Sequence, residues 1–142
     1  MRYSDNVECL IASVIYLGTQ KGWWARTPTA MAAELSLDAT TLKAVFEGFP
    51  GIFRKSTRPS KSGEHYYSLQ ARYAQREDYS QREEVTDIKP LETDKVRLIY
   101  DFILKSADDE RTRWRSLIGN SIAVGAAVAS ALTAILIAYL KS

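Results

Sequence analysis

Residues 27–49, TPTAMAAELSLDATTLKAVFEGF, are the stretch on which the fold turns. Thr27 before Pro28 is a helix start, because a threonine hydroxyl can accept from an orphan amide of the first turn and proline at the first helical position loses no needed donor. Met31, Ala32 and Leu35 share one side of that helix, which stops at Ser36-Leu37. Asp38 then caps a second helix whose inner face is Leu42, Val45, Phe46 and Phe49. Two short helices joined by a tight turn are predicted, and the small Ala32 lets them approach closely.

Upstream, Val7, Leu10, Ile11, Val14 and Ile15 recur at helical intervals behind Asp5 and Glu8, which stand at capping-box spacing. This predicts a helix of about three or four turns ending near Gly18, followed by a turn in which Trp23 and Trp24 act as lids over a small core. Downstream, residues 51–56 read as a strand, residues 57–63 carry turn chemistry through Pro59, Ser60, Ser62 and Gly63, and residues 65–70 read as the partner strand.

Ala32, Ser36, Leu42 and Val45, with apolar Met31, Leu35 and Leu37 between them, resemble the helix-turn-helix pattern, and Ser36 stands where glycine is often found. Three helices followed by a hairpin resemble the winged-helix family over residues 5–70. The resemblance implies a third helix laid in the major groove and a wing on the backbone or in the minor groove. Carried onto this chain, the third helix would present Asp38, Ala39, Thr40, Thr41, Lys43, Ala44 and Glu47, with Thr40, Thr41 and Lys43 as its candidate nucleic-acid contacts. That face holds one cation, two anions and none of the arginine, asparagine or glutamine that reads base edges, so base readout is not expected from it. The wing differs: Arg54, Lys55, Arg58 and Lys61 are four cations with no acid among them. If all four met phosphates, affinity would fall with salt at a log-log slope of roughly −3 to −4. The same patch could rest on anionic lipid headgroups, or be a solvated hairpin tip.

The last uncharged run, residues 116–140, would make a helix of roughly 37 Å, long enough to cross a bilayer core. It is read as a transmembrane helix rather than a buried core helix. Arg111, Arg113 and Arg115 precede it and only Lys141 follows among the cations, which places the N-terminal side in the cytoplasm. The expected location is therefore a single-pass tail anchor in a membrane, taken as a bacterial inner membrane, in contact with membrane lipid. Within the run, Ser121, Gly125, Ala129 and Thr133 recur at every fourth position, a spacing that lets helices pack closely and predicts a homo-oligomer; Asn120 could add a bond across helices.

The fold class expected is α+β: a small winged-helix domain over 1–70, with three helices and a β-hairpin wing, then a charged helical connector or stalk over 71–115, a transmembrane helix over 116–140 and a short tail at 141–142. In the connector, Tyr73 and Tyr79 are the main apolar contacts, and a new helix starts at Glu92 with Val96, Ile99, Phe102 and Ile103 on one side. That side needs a cover, either the chain's own domain or another copy.

The formal net charge of +2 is small, and its excess lies in residues 1–70, with eight Lys/Arg against six Asp/Glu. Cys9 is the sole cysteine, which excludes an intramolecular disulfide and a thiolate metal cluster. His65 is the sole histidine and lies on a wing strand, while Glu83-Glu84 and 108–110 lack histidine neighbours. With no phosphate-binding glycine loop, metal-ligand cluster or nucleophile elbow, no enzyme, no cofactor and no metal are expected. Three functions fit the sequence: a membrane-tethered nucleic-acid binder, an adaptor that recruits a cytosolic protein partner, and a small membrane-perturbing effector of a defence or toxin-like system.

Overall fold

The computed structural model describes residues 1–75 and 89–141, with side chains as far as Ile118. Its first helix, α1 (Val7–Thr19), buries Leu10, Val14 and Leu17 on one stripe, as their spacing dictates. The expected capping box does not form, because the helix starts one residue beyond Asn6 and leaves Asp5 outside. Asn6 holds the cap position without a side-chain cap bond, and its amide instead donates to the Arg2 carbonyl at 2.8 Å.

A two-residue strand, β1 (Ala25–Arg26), precedes α2 (Pro28–Leu35) and α3 (Ala39–Gly48). Both predicted caps are in place: Thr27 Oγ1 accepts from the amide of Ala30 at 3.3 Å, and Asp38 Oδ2 accepts from the amide of Thr41 at 2.6 Å. Between the helices Ser36 adopts a left-handed φ of 55°, which is the conformation that favours glycine at this turn.

The hairpin consists of β2 (Phe53–Pro59) and β3 (His65–Leu69), and β3 is central in an antiparallel sheet of order β1-β3-β2. Lys55 pairs with Tyr67 but Pro59 pairs with His65, so β2 carries extra residues in a bulge. Ser56 fills that bulge: its hydroxyl accepts from the amide of Tyr66 at 3.0 Å and donates to the carbonyl of Arg58 at 2.7 Å. His65 Nδ1 lies 2.9 Å from the Ser56 carbonyl. The turn closes on Gly63 at a φ of 82°, with Ser60 and Glu64 bonded through their backbones.

After a short α4 (Gln70–Tyr73) and the segment 76–88, which lies outside the described residues together with Tyr79 and Glu83-Glu84, the chain returns to the core. Leu91 is buried, its amide donates to the Gly18 carbonyl at 2.8 Å, and Val96, Ile99 and Ile103 of α5 (Thr93–Lys141) join the cluster built by Leu10, Met31, Leu42, Phe46 and Tyr67. Val96, Ile99 and Ile103 on the apolar side of α5 are thus covered by the chain's own domain, whereas Phe102 stays exposed. Gly18 faces this packing: a Cβ there would lie 3.3 Å from Val96 Cγ2 and 3.4 Å from Leu69 Cδ1. Arg72, wholly buried, donates to the carbonyls of Leu17 and Gln20, each at 2.7 Å, of Lys89 at 3.2 Å and of Trp23 at 3.3 Å. One guanidinium thereby satisfies the open carbonyls at the end of α1 and fixes the returning strand of chain.

The chain divides into two units, Met1–Ala107 and Asp108–Ser142, the second helical as far as Lys141. The fold class is α+β, with a three-stranded antiparallel sheet and five helices among the described residues. The expected transmembrane helix is corrected here: among the described residues no helix is long and apolar enough to cross a membrane. The single-pass location, with its cytoplasmic domain, anchor over 116–140 and tail at 141–142, is withdrawn with it. Over the stretch whose side chains are described, α5 begins at Thr93 rather than near 116 and exposes Arg97, Asp101, Lys105, Asp108, Asp109, Arg111, Arg113 and Arg115, so no window among the described residues is apolar enough for hydrocarbon. The side chains of Asn120, Ser121, Gly125, Ala129 and Thr133, on which the expected helix packing rested, lie outside the described residues.

Candidate nucleic-acid interface

The four hairpin cations predicted from sequence all sit on β2 or in the turn that follows it, yet the structure treats each differently. Lys55 Nζ lies 2.8 Å from Glu47 Oε1, so α3 and β2 are joined by an ion pair. The same oxygen accepts from the Tyr67 hydroxyl at 3.1 Å. Glu47 therefore collects two donors, with Lys43 adding a weaker attraction, and its carboxyl is held below the usual range by Lys55 first and Tyr67 second. Lys55 is held above its usual range by that bond, while burial, and then Glu47, raises the Tyr67 phenol.

Arg54 is half-buried and lies flat on Tyr73, with Cζ 3.8 Å from the ring centroid. The stack restrains the guanidinium but leaves its charge in place. Arg58 and Lys61 are exposed, and among the described residues neither makes an ion pair. Lys43 and Thr40 on α3 are exposed as well. Thr41 is exposed but occupied, since its amide and, secondarily, its hydroxyl hold the Asp38 carboxyl below the usual range.

A further set of groups was not legible in the sequence. Between the start of α2 and the hairpin turn lies a cleft of about 380 Å³ lined by Arg26, Thr27, Ser60, Lys61, Ser62 and Tyr66. Arg26 reaches it from β1, a strand of two residues that no periodicity could announce. Its Cζ sits 3.6 Å over the Trp23 ring, its Nη2 is 3.2 Å from Glu34 Oε1, and its Nε is buried with no hydrogen-bond partner among the described residues. Glu34 is held in turn by the Tyr16 hydroxyl. Ser60 Oγ and Ser62 Oγ are 2.8 Å apart at the turn. Thr29 Oγ1 donates to Glu64 Oε1 at 2.7 Å, which pins the hairpin turn to α2 and brings one carboxylate close to the cations.

The hairpin is therefore held on three sides, by Glu47 through Lys55, by Tyr73 beneath Arg54 and by Thr29 through Glu64. What it offers outward is the exposed Arg58 and Lys61 near its turn, with the hydroxyls of Ser60 and Ser62 that can donate to an oxyanion, and Arg54 half-buried on Tyr73 toward the other end of β2. Comparison of the chain with protein families, with curated proteins and with solved structures finds no match in any of the three.

Proposed function

We propose that residues 1–107 are a winged-helix binding module, not an enzyme, and that its hairpin holds the phosphate backbone of nucleic acid. The order helix, strand, two helices and hairpin, with the hairpin's second strand central in the sheet, supports the winged-helix reading. The observation that carries the function is the contrast among the cations: Lys55 and Arg26 are held by carboxylates, whereas Arg58 and Lys61 stand exposed at the far end of the hairpin without an ion pair among the described residues. Charges left unpaired on a braced turn are free to take phosphate oxygens at little ordering cost.

In this reading Arg58 and Lys61 grip adjacent phosphates, Arg54 contributes from its place on Tyr73, and the cleft beside Ser60 and Ser62 admits a phosphate oxygen. Lys43 and Thr40 approach the backbone alongside. Base identity is not read in this proposal, because the α3 surface holds no arginine, asparagine or glutamine. The sole histidine supports a binding rather than a catalytic role, since its Nδ1 is engaged by the hairpin's own backbone.

The test compares two duplexes of unrelated sequence with the full chain and with the double variant Arg58→Ala/Lys61→Ala. Equal affinity for both duplexes, weakened in the double variant at unchanged helicity, supports the proposal. Binding that the double variant retains in full overturns it.

A further inference from the structure

The cleft of about 380 Å³ between α2 and the hairpin turn is larger than a phosphate oxygen requires. Sites for small organic ligands begin at about 300 Å³, so a single oxyanion would leave most of this space empty. One wall is aromatic. Tyr66 lines the cleft and is 40% exposed, in contrast to its neighbour Tyr67, which is 2% exposed with its ring 4.9 Å from that of Phe46. Among the described residues Tyr66 stacks on no other ring. The other walls are polar, with Ser60, Lys61 and Ser62 contributed by the turn and Arg26 by β1. The two serine hydroxyls are bonded to each other at 2.8 Å, which leaves one of their two protons for an outside acceptor. Arg26 is held by the Trp23 ring and by Glu34, and its Nε has no hydrogen-bond partner among the described residues. Glu64 accepts from Thr29 at 2.7 Å and makes no ion pair with Lys61 among the described residues.

We infer that the cleft receives one unpaired nucleotide of the bound nucleic acid, with the base laid on the Tyr66 ring and the phosphate on Lys61 and the serine hydroxyls. This rests on the reading of the hairpin as a grip on the phosphate backbone, and it names what the grip prefers: an end or a gap, where a base stands outside the stack. An exposed aromatic ring is a platform for any base, because every base has a π-face, so the preference is for strandedness and not for sequence. A base within a duplex has neighbours on both faces and reaches such a ring only by leaving the stack, a cost that an unpaired base does not carry. Arg26, with donors beyond the one given to Glu34 and a position set by Trp23, offers the base or sugar a fixed partner.

The test measures binding of the full chain to one duplex in three forms: blunt, extended by a short run of unpaired thymidines, and extended by an abasic run of equal length. The abasic run carries the same charge with no base to stack. Extensions are made in both the 5′ and the 3′ sense. In at least one sense the thymidine form should bind about fivefold or more tightly than its abasic counterpart, the effect of one stacked base. Tyr66→Thr and Tyr66→Val suit a strand but lack a ring, so both should erase that ratio, while Tyr66→Phe should keep it. Thymidine and abasic forms bound equally in both senses overturn the inference, and binding of the blunt duplex then still upholds the backbone reading. A ratio that neither ringless variant changes overturns it too, because the base would lie elsewhere. Absence of binding to every form overturns both.

Discussion

Glu47 on α3 and Lys55 on β2 form an ion pair at 2.8 Å, with Tyr67 donating to the same carboxylate oxygen at 3.1 Å. This pair neutralises one of the four hairpin cations. Glu47→Gln keeps a group that Tyr67 can bond and releases Lys55 toward solvent. If the hairpin binds phosphate, the variant should bind duplex DNA more tightly, and the log-log salt slope should steepen by about 0.9, the increment for one more phosphate contact. A fluorescence-anisotropy titration at several salt concentrations measures both.

The same pair sets a pH dependence whose sign is fixed. Glu47 is held below its ordinary value of 4.5, so its stabilising contribution is complete above that value and is lost as pH falls through the lower folded-state value. Lys55 is held above its ordinary value of 10.5, so its contribution is complete below that value and is lost as pH rises through the higher one. Asp38, lowered by Thr41, adds to the acid limb in the same sense as Glu47. Thermal melts across pH should show Glu47→Gln flattening part of the alkaline limb and part of the acid limb, with the share that burial gives Tyr67 intact in the first and the Asp38 share intact in the second.

Arg72 is the largest fully buried side chain among those described, and its guanidinium reaches four backbone carbonyls. Arg72→Met fills much of the space but leaves the carbonyls of Leu17 and Gln20 without that donor. Hydrogen bonds from a charged donor contribute about 1.5–3 kcal/mol each, so urea unfolding should show a loss of about 3 kcal/mol or more. Arg72→Lys should recover little of it, because an ammonium cannot span the same fork of acceptors.

Ser36 holds a left-handed φ of 55° between α2 and α3. That conformation costs a residue with a Cβ about 1–2 kcal/mol, and glycine returns part of the gain through its freer unfolded chain. Ser36→Gly should therefore stabilise the fold by roughly 0.5–1 kcal/mol, seen as a raised unfolding midpoint with an unchanged urea slope.

The three head helices and the hairpin were legible because each carries a local signal: apolar spacing in α1, a threonine and a proline at the start of α2, an aspartate at the start of α3, and turn residues before Gly63. The capping box at Asp5 and Glu8 failed because the same spacing fits a helix begun one residue to either side. Strand β1 was invisible, since two residues have no period, and with it went Arg26 and the cleft it lines. The pairing of Lys55 with Glu47 depends on tertiary approach and left four cations looking equivalent. Arg72 sat in a polar run with nothing to mark it as buried. The sequence leaves open whether the stalk helix continues into the run 116–140 or bends before it, because no cap or breaker stands between them, whereas the structure has one helix, α5, from Thr93 to Lys141.

The most direct test of the central claim is the salt dependence of duplex-DNA binding by the full chain. With Lys55 held by Glu47 and four cations available, Arg54, Arg58, Lys61 and Lys43, the log-log slope should be about −3.6, falling to about −1.8 in Arg58→Ala/Lys61→Ala. Absence of binding at about 50 mM salt, or a slope the double variant leaves unchanged, would contradict it.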